Sequence, residues 1–366
     1  MRIEGIITLT SPLHCASKTD SNHTHVMRQP VVTPHGTDRV PYFPGNDLKG
    51  RLHRKAARVV MEHLKSTGRK LDVPLYIGLT CGDAMGKIEQ EFLTIEEVLR
   101  ARDNPLIGLF GGGCRILRGR LRVNDLIPVL ESTVTAGLVP RAYAEETGSD
   151  GFLVKVFRKE EEGGKAVSQP ARGNDILNRY TFYKVDDAYR VSRLNEVMEY
   201  IEDPVVAISS HQAAVLNSQS ARKLDASVKK TDASNILTYD AISAGTPMFF
   251  RAEFAAGIGP HHIGLFLLAL QDLVREQALG GKVAAGLGRF TASLRVVSGE
   301  GANPVFTESP VGMDATLTPQ MVATYVEPAR QVIAGITYEA MADFFTARRS
   351  EEERRVRKGR RTEKAA

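Results

Sequence analysis

The chain has 366 residues, 42% apolar and 25% charged, enough for one large domain with insertions or for two ordinary domains. Its net charge of +5 sits in residues 347 to 366, which hold nine Lys or Arg and four Glu; the rest keeps 39 of the 48 basic and 39 of the 43 acidic side chains. That balance excludes a globally basic nucleic-acid-binding globule, so any polyanion site on the folded part has to be a local patch.

Cys15, Cys81 and Cys114 form no C-x-x-C pair, which argues against a disulfide framework or a zinc knuckle. Tryptophan is absent, which argues against a carbohydrate site of stacked rings. Apolar runs such as Ile263 to Leu270 are too short to span a bilayer. The start, MRIEGIITL, alternates like a strand and lacks the apolar h-region of a signal peptide, so a cytoplasmic protein with no membrane partner is expected.

In chain order, Arg2 to Leu9 reads as a half-buried strand, followed by a polar loop from His14 to Gly36. Val40 to Phe43 leads through Pro44-Gly45 into a helix that Asn46 or Asp47 can cap. Leu48, Leu52, Ala56, Val59, Val60 and Leu64 recur at helical spacing, and Lys49, Arg51, His53, Arg54, Lys55 and Arg58 fill the other side. Residues 67 to 91 read as irregular with short strands, Ile95 to Arg102 as a short helix, and Arg115 to Asn124 as a strand. A polar insertion runs from about 145 to 175; Leu194 to Ile201 predicts a helix and Val205 to Ser209 a strand. Residues 210 to 240 carry no core-forming period. A strand at Pro247 to Ala255, a strongly apolar helix at His261 to Ala278 closed by Gly280-Gly281, and a final strand, FTASLRVV, complete the pattern. This order suits an α+β fold, a ferredoxin-like or RRM-like palm over residues 1 to 345 with large insertions. Residues 346 to 366 form a basic tail, either helical or disordered.

PGNDLKGRLHR sets a Gly turn before a helix whose first turns hold Lys49, Arg51 and Arg54. Free N–H groups and the positive end of the helix dipole make a phosphate seat there. A capped amphipathic helix with a solvated basic face explains the same residues, and the P-loop spacing is missing. The glycines at 280, 281, 286 and 288, flanked by Lys282 and Arg289, fit either close approach to a ligand or a tight helix-to-strand connection.

PGNDLKGRL resembles the PGSSLKG signature of the RAMP superfamily, the repeat-associated proteins that build CRISPR effector complexes. TSPLH after the first strand, LFGGG at Leu109 to Gly113 and GGKVAAGLGRF at Gly280 to Phe290 resemble further superfamily elements in the expected order. The chain most resembles the backbone subunit of type IV systems. The resemblance implies a modified RRM palm, with a thumb over about 210 to 245, stacked helically with copies of itself along a crRNA in antiviral defence. Partners so implied are the guide RNA, other effector subunits, and a target that pairs with the guide. It also implies RNA contacts at Asn46, Lys49, Arg51 and Arg54, and in the thumb at Arg222, Lys223, Lys229 and Lys230. The signature favours Ser where Asn46 and Asp47 stand, so Asp47 is expected to cap the helix and face away.

In type III relatives the first loop carries an acid that cuts target RNA just before a P-V-type strand. Here Met27-Arg28-Gln29 precedes Pro30-Val31-Val32, and Asp20 and Asp38 lie elsewhere. Lys18 and Arg28 are instead candidate RNA contacts. His14, His23, His25 and His35 lack a neighbouring Cys or carboxylate pair, so no metal, and no cofactor, is expected. The expected function is therefore a non-catalytic crRNA-binding scaffold. The alternatives are a crRNA-processing endoribonuclease, seeded by His14 or His53, and a generic protein binding nucleic acid through its basic tail.

Overall fold

The computed structural model describes residues 1–20, 23–82, 94–113, 117–147, 155–159, 166–183, 236–298, 301–306 and 315–345. They form an α+β protein. Strands β1 (Arg2–Leu9), β2 (Ala16–Asp20), β3 (His23–Val26), β4 (Arg28–Thr33) and β5 (Gly36–Pro41) come first. Helices α1 (Gly45–Ser66), α2 (Val73–Cys81), α3 (Ile95–Asp103) and α4 (Pro105–Phe110) follow. Short strands β6 (Gly111–Gly112), β7 (Leu117–Arg118), β8 (Leu121–Val123) and β9 (Ile127–Pro128) precede α5 (Glu131–Thr135) and α6 (Arg141–Glu146). Then come β10 (Lys155–Lys159), β11 (Ala166–Pro170), β12 (Leu177–Tyr183), β13 (Ile236–Ile242) and β14 (Pro247–Phe254). Helix α7 (Pro260–Glu276), β15 (Phe290–Ser298), β16 (Gly301–Pro304), α8 (Glu327–Ala334) and α9 (Tyr338–Phe345) end the described chain.

The chain divides into two compact units. The first comprises Met1–Cys15, Met27–Leu177 and Ile242–Ala366. Its main sheet runs β16-β15-β1-β14-β8, with β9 also on β14, and β1 is antiparallel to both neighbours. With α1 after β1 and α7 after β14, this is β-α-β-β-α-β connectivity with the last strand beside the first. Helices α1 and α7 pack together. Leu48, Leu52, Ala56, Val60 and Leu64 are buried from α1, and Phe266, Leu267, Leu270 and Leu273 from α7. Each fully buried leucine contributes roughly 2 kcal/mol to the core.

On β1 Glu4 is also buried, opposite Arg251 of β14 and Arg295 of β15. Tyr143 of α6 donates to its Oε2 at 3.0 Å, and the Arg295 guanidinium lies 5.2 Å above the Tyr143 ring. Burial and then the Glu4 carboxylate push the Tyr143 pKa up to about 12.

The second unit comprises Ala16–Val26 and Asn178–Ala241, with a sheet ordered β12-β13-β3-β2 in which β13 and β3 are parallel. The rings of Tyr180 and Tyr239 stack at 5.5 Å.

Several expectations change. Within the polar loop from His14 to Gly36, β2, β3 and β4 form; β2 exposes every side chain, so no alternation marked it. Between 67 and 91 the structure has the helix α2, started by Asp72, which accepts the Leu75 N–H at 3.0 Å, with Pro74 in its first turn. Helix α1 starts at Gly45, with Pro44 at the cap position and no side-chain cap, so neither Asn46 nor Asp47 caps it. The expected helix at 194–201, the expected strand at 205–209 and the tail lie outside the described residues. Among the described residues no helix is long and apolar enough to cross a membrane.

Candidate nucleic-acid interface

Three motifs that are far apart in sequence meet at one end of the main sheet. The N–H groups of Thr10 and Ser11 donate to the Arg289 carbonyl at 2.8 and 3.2 Å, and the Arg289 N–H donates to Ser11 Oγ at 2.8 Å. Gly288 N–H reaches the Pro12 carbonyl, and Gly281 N–H the His14 carbonyl, both at 2.8 Å. From α1, Arg51 donates to the carbonyls of Ala278 at 3.2 Å and Gly280 at 2.5 Å. Lys55 pairs with Asp272 at 2.8 Å and Glu276 at 2.5 Å on α7. TSPLH, the signature helix and the glycine-rich segment are thus one assembly.

Its glycines are filled by the protein's own backbone. A Cβ on Gly288, at φ +79°, would lie 1.9 Å from the Leu279 carbonyl oxygen; on Gly280, at φ +72°, it would lie 2.3 Å from that of His14. At these two positions the tight connection explains the residue, and no ligand is needed.

LFGGG enters the same neighbourhood. The Phe110 ring stacks on His53 of α1 at 4.9 Å, and β6 pairs with β7, placing Gly111 opposite Arg118. Arg118 then acts on Lys49: burial first, and Arg118 second, hold the Lys49 pKa below its usual value. Burial, then Lys49 and Arg54, push His53 down to about 4, so it stays neutral. Burial and then Arg54 lower Arg51 as well. Among the described residues, Lys49, Arg54 and Arg118 form no hydrogen bond or ion pair with an acid. Such mutually repelling cations raise a local positive potential that a polyanion relieves. Arg118 was missed in the sequence, because only the β6–β7 pairing carries it to α1.

The N-terminus of α1 is less open than its sequence suggests. Asp125 Oδ1 accepts the Gly45 N–H at 2.7 Å, and Asp47 is exposed in the first turn. Carboxylates therefore take part of the proposed phosphate seat, and the cationic centre lies further along the helix at Lys49, Arg54 and Arg118. Asn46 is exposed beside these acids.

Of the other candidates, Lys282, at φ 64°, and Arg289 are exposed on the glycine-rich segment. Arg28 on β4 donates to Asn174 at 2.7 Å. Lys18 belongs to the second unit and pairs with Asp20 at 2.7 Å. Arg222, Lys223, Lys229 and Lys230 lie outside the described residues.

Groups suited to chemistry are constrained. Burial, then Asp47, push the Cys15 thiol up to about 12, far from nucleophilic. His14 is buried. Asp38 accepts from Ser132 Oγ at 2.8 Å and from the Gly173 N–H at 3.1 Å, a structural tie. RNA recognition by stacking bases on an open RRM sheet is blocked at Glu4, where Tyr143 covers the face.

The second unit gathers His23, His25 and Asp240, whose ligand atoms all lie within 4.8 Å of one another. The carboxylate that the sequence did not place near these histidines comes from β13.

No family model matches the chain, and no curated protein does. Among solved structures it is similar to a chain of a "Type IV-B CRISPR Complex", with 15% identity over 82% of this chain and 93% of that one, at a TM-score of 0.45. At those values the two share no more than a loose likeness of fold.

Proposed function

We propose that the chain is a non-catalytic guide-RNA-binding backbone subunit of a CRISPR ribonucleoprotein of type IV character, stacking with copies of itself along the RNA. One observation carries this reading. TSPLH, PGNDLKGRLHR and GGKVAAGLGRF are hydrogen-bonded together, with Lys49, Arg54 and Arg118 clustered on α1 and the LFGGG hairpin beside it. Such a cluster grips phosphates without reading bases, leaving them available for pairing with a target. Each subunit contributes a short stretch of grip, and affinity accumulates as subunits line the strand.

The test is purification of the full chain followed by a nuclease check and negative-stain imaging. Copurifying RNA and helical particles are expected, with single-stranded RNA binding that weakens steeply as salt rises. A nucleic-acid-free monomer that binds no RNA at low salt refutes the proposal. Cleavage of a CRISPR repeat RNA by this chain alone would instead favour an endoribonuclease, a role for which neutral, stacked His53 and buried His14 are poorly placed.

A further inference from the structure

The cluster in the second unit plays no part in the RNA reading. His23 and His25 stand two residues apart on β3, so they share a face. Thr238 lies opposite His23 and Tyr239 opposite Thr24 in the parallel β3–β13 pair, and one further step brings Asp240 level with His25. Asp240 Oδ1 is 2.9 Å from His23 Nε2, and Oδ2 is 3.0 Å from His25 Nδ1. The Asp240 side chain is 7% exposed and those of His23 and His25 21% and 36%, so a largely buried acid meets two rings that solvent reaches.

We infer that His23, His25 and Asp240 bind a divalent transition-metal ion of the zinc class, with a fourth position left to water. Zinc bonds of about 2.0–2.2 Å in a tetrahedron put neighbouring ligand atoms roughly 3.3–3.5 Å apart. The two Asp240 contacts, at 2.9 and 3.0 Å, lie within about half an ångström of that, and the ligand atoms of all three residues lie within 4.8 Å of one another. Two imidazoles and one carboxylate suit zinc, cobalt or nickel, and are too few in oxygen for calcium or magnesium.

Binding uses the ring lone pairs at His23 Nε2 and His25 Nδ1, the two nitrogens that face Asp240. The other ring nitrogen of His25, Nε2, faces Asp20 Oδ2 at 3.5 Å. That is the outer carboxylate commonly found orienting a metal-bound histidine. Arg179 Nε, 3.6 Å from Asp240 Oδ1 on a 66% exposed side chain, can swing away as the ion arrives. The ion would fasten two strands whose ligands stand 217 residues apart in the chain.

The experiment strips the full-length protein with a chelator and titrates it with Zn²⁺ against a competing indicator, then with Co²⁺ followed by visible absorption. One ion per chain and the intense d–d bands of tetrahedral cobalt are expected. Asp240→Asn and His23→Gln should weaken Zn²⁺ at least a hundredfold, with circular dichroism confirming that each is folded. Asp20→Asn changes only an exposed carboxylate and should weaken Zn²⁺ about tenfold, so it remains informative if the ligand variants unfold. No stoichiometric binding by the parent chain, or binding unchanged in folded Asp240→Asn, His23→Gln and Asp20→Asn, overturns the inference.

Discussion

Arg51 on the signature helix holds the backbone carbonyl of Gly280 at 2.5 Å, and that of Ala278 at 3.2 Å. The sequence offered Arg51 as an RNA contact, yet two of its five donors are spent on the glycine-rich segment. Its fork shape suits two carbonyls at once, which a lysine cannot match. Arg51→Lys should therefore lower stability by about 1–2 kcal/mol, and Arg51→Ala by about 2–3 kcal/mol, since hydrogen bonds from a charged donor disappear at a half-buried site. Urea unfolding midpoints measure both.

Lys49, Arg54 and Arg118 should behave as the RNA grip. Replacing all three with alanine should leave stability nearly unchanged, since none pairs with an acid among the described residues. RNA affinity should fall at least tenfold near physiological salt. The slope of log K against log salt should flatten by about 2, because each phosphate that a single strand no longer has neutralised takes about 0.7 from it. Fluorescence anisotropy at several salt concentrations measures this, and an unchanged slope would sink the proposed grip.

The charge balance of the folded part makes a further prediction. Removing residues 347 to 366 deletes the whole net charge of +5. RNA binding should largely survive, because the proposed grip lies on α1 and the β6–β7 hairpin. Binding that disappears with the tail, measured in the same anisotropy assay, would point to nonspecific electrostatics.

Acid should weaken the fold through His53 and His262. Burial is the first cause at both, and both are pushed down to about 4. An unfolded histidine titrates near 6.5, so between about pH 6.5 and 4 the unfolded chain takes up protons that the folded one refuses. Stability is full above that window and falls within it, by about 1–2 kcal/mol per histidine at pH 5. His53→Gln should remove about half of the loss between pH 7.5 and pH 5 in denaturant midpoints.

Gly288→Ala should destabilise by about 2–4 kcal/mol, from a left-handed conformation and a collision with the Leu279 carbonyl. Gly286→Ala, also at positive φ (+81°) but with nothing within 4 Å, should cost only about 1–2 kcal/mol. Thermal unfolding of the two variants side by side separates crowding from strain.

The palm elements were legible because their periods are strong. Leu48, Leu52, Ala56, Val60 and Leu64 are all buried on α1, and the strands at 2–9, 247–254 and 290–298 stand close to where alternation and turn residues put them. Helix α2 was not legible: VPLYIGLTC is apolar on every side and mimics strand composition, although Asp72 and Pro74 marked its start. The signature helix was found, but not its cap, because the acid at its N-terminus, Asp125, comes from a distant loop. Arg118 and Asp240 were invisible for the same reason. A side chain delivered by strand pairing leaves no local spacing to read.

β1 lies between β14 and β15, and its partners begin at Pro247 and Phe290. During synthesis the middle strand of the sheet must wait until both have left the ribosome. At about 5–20 residues per second that delay is on the order of ten to sixty seconds. Until then the TSPLH turn has no glycine-rich segment to dock on, and Arg51 has no carbonyls to hold. A nascent chain thus cannot complete this three-motif assembly piecemeal. The assembly is restricted to chains synthesised past Phe290, and a polypeptide stalled before it would be left a long-lived substrate for chaperones and proteases.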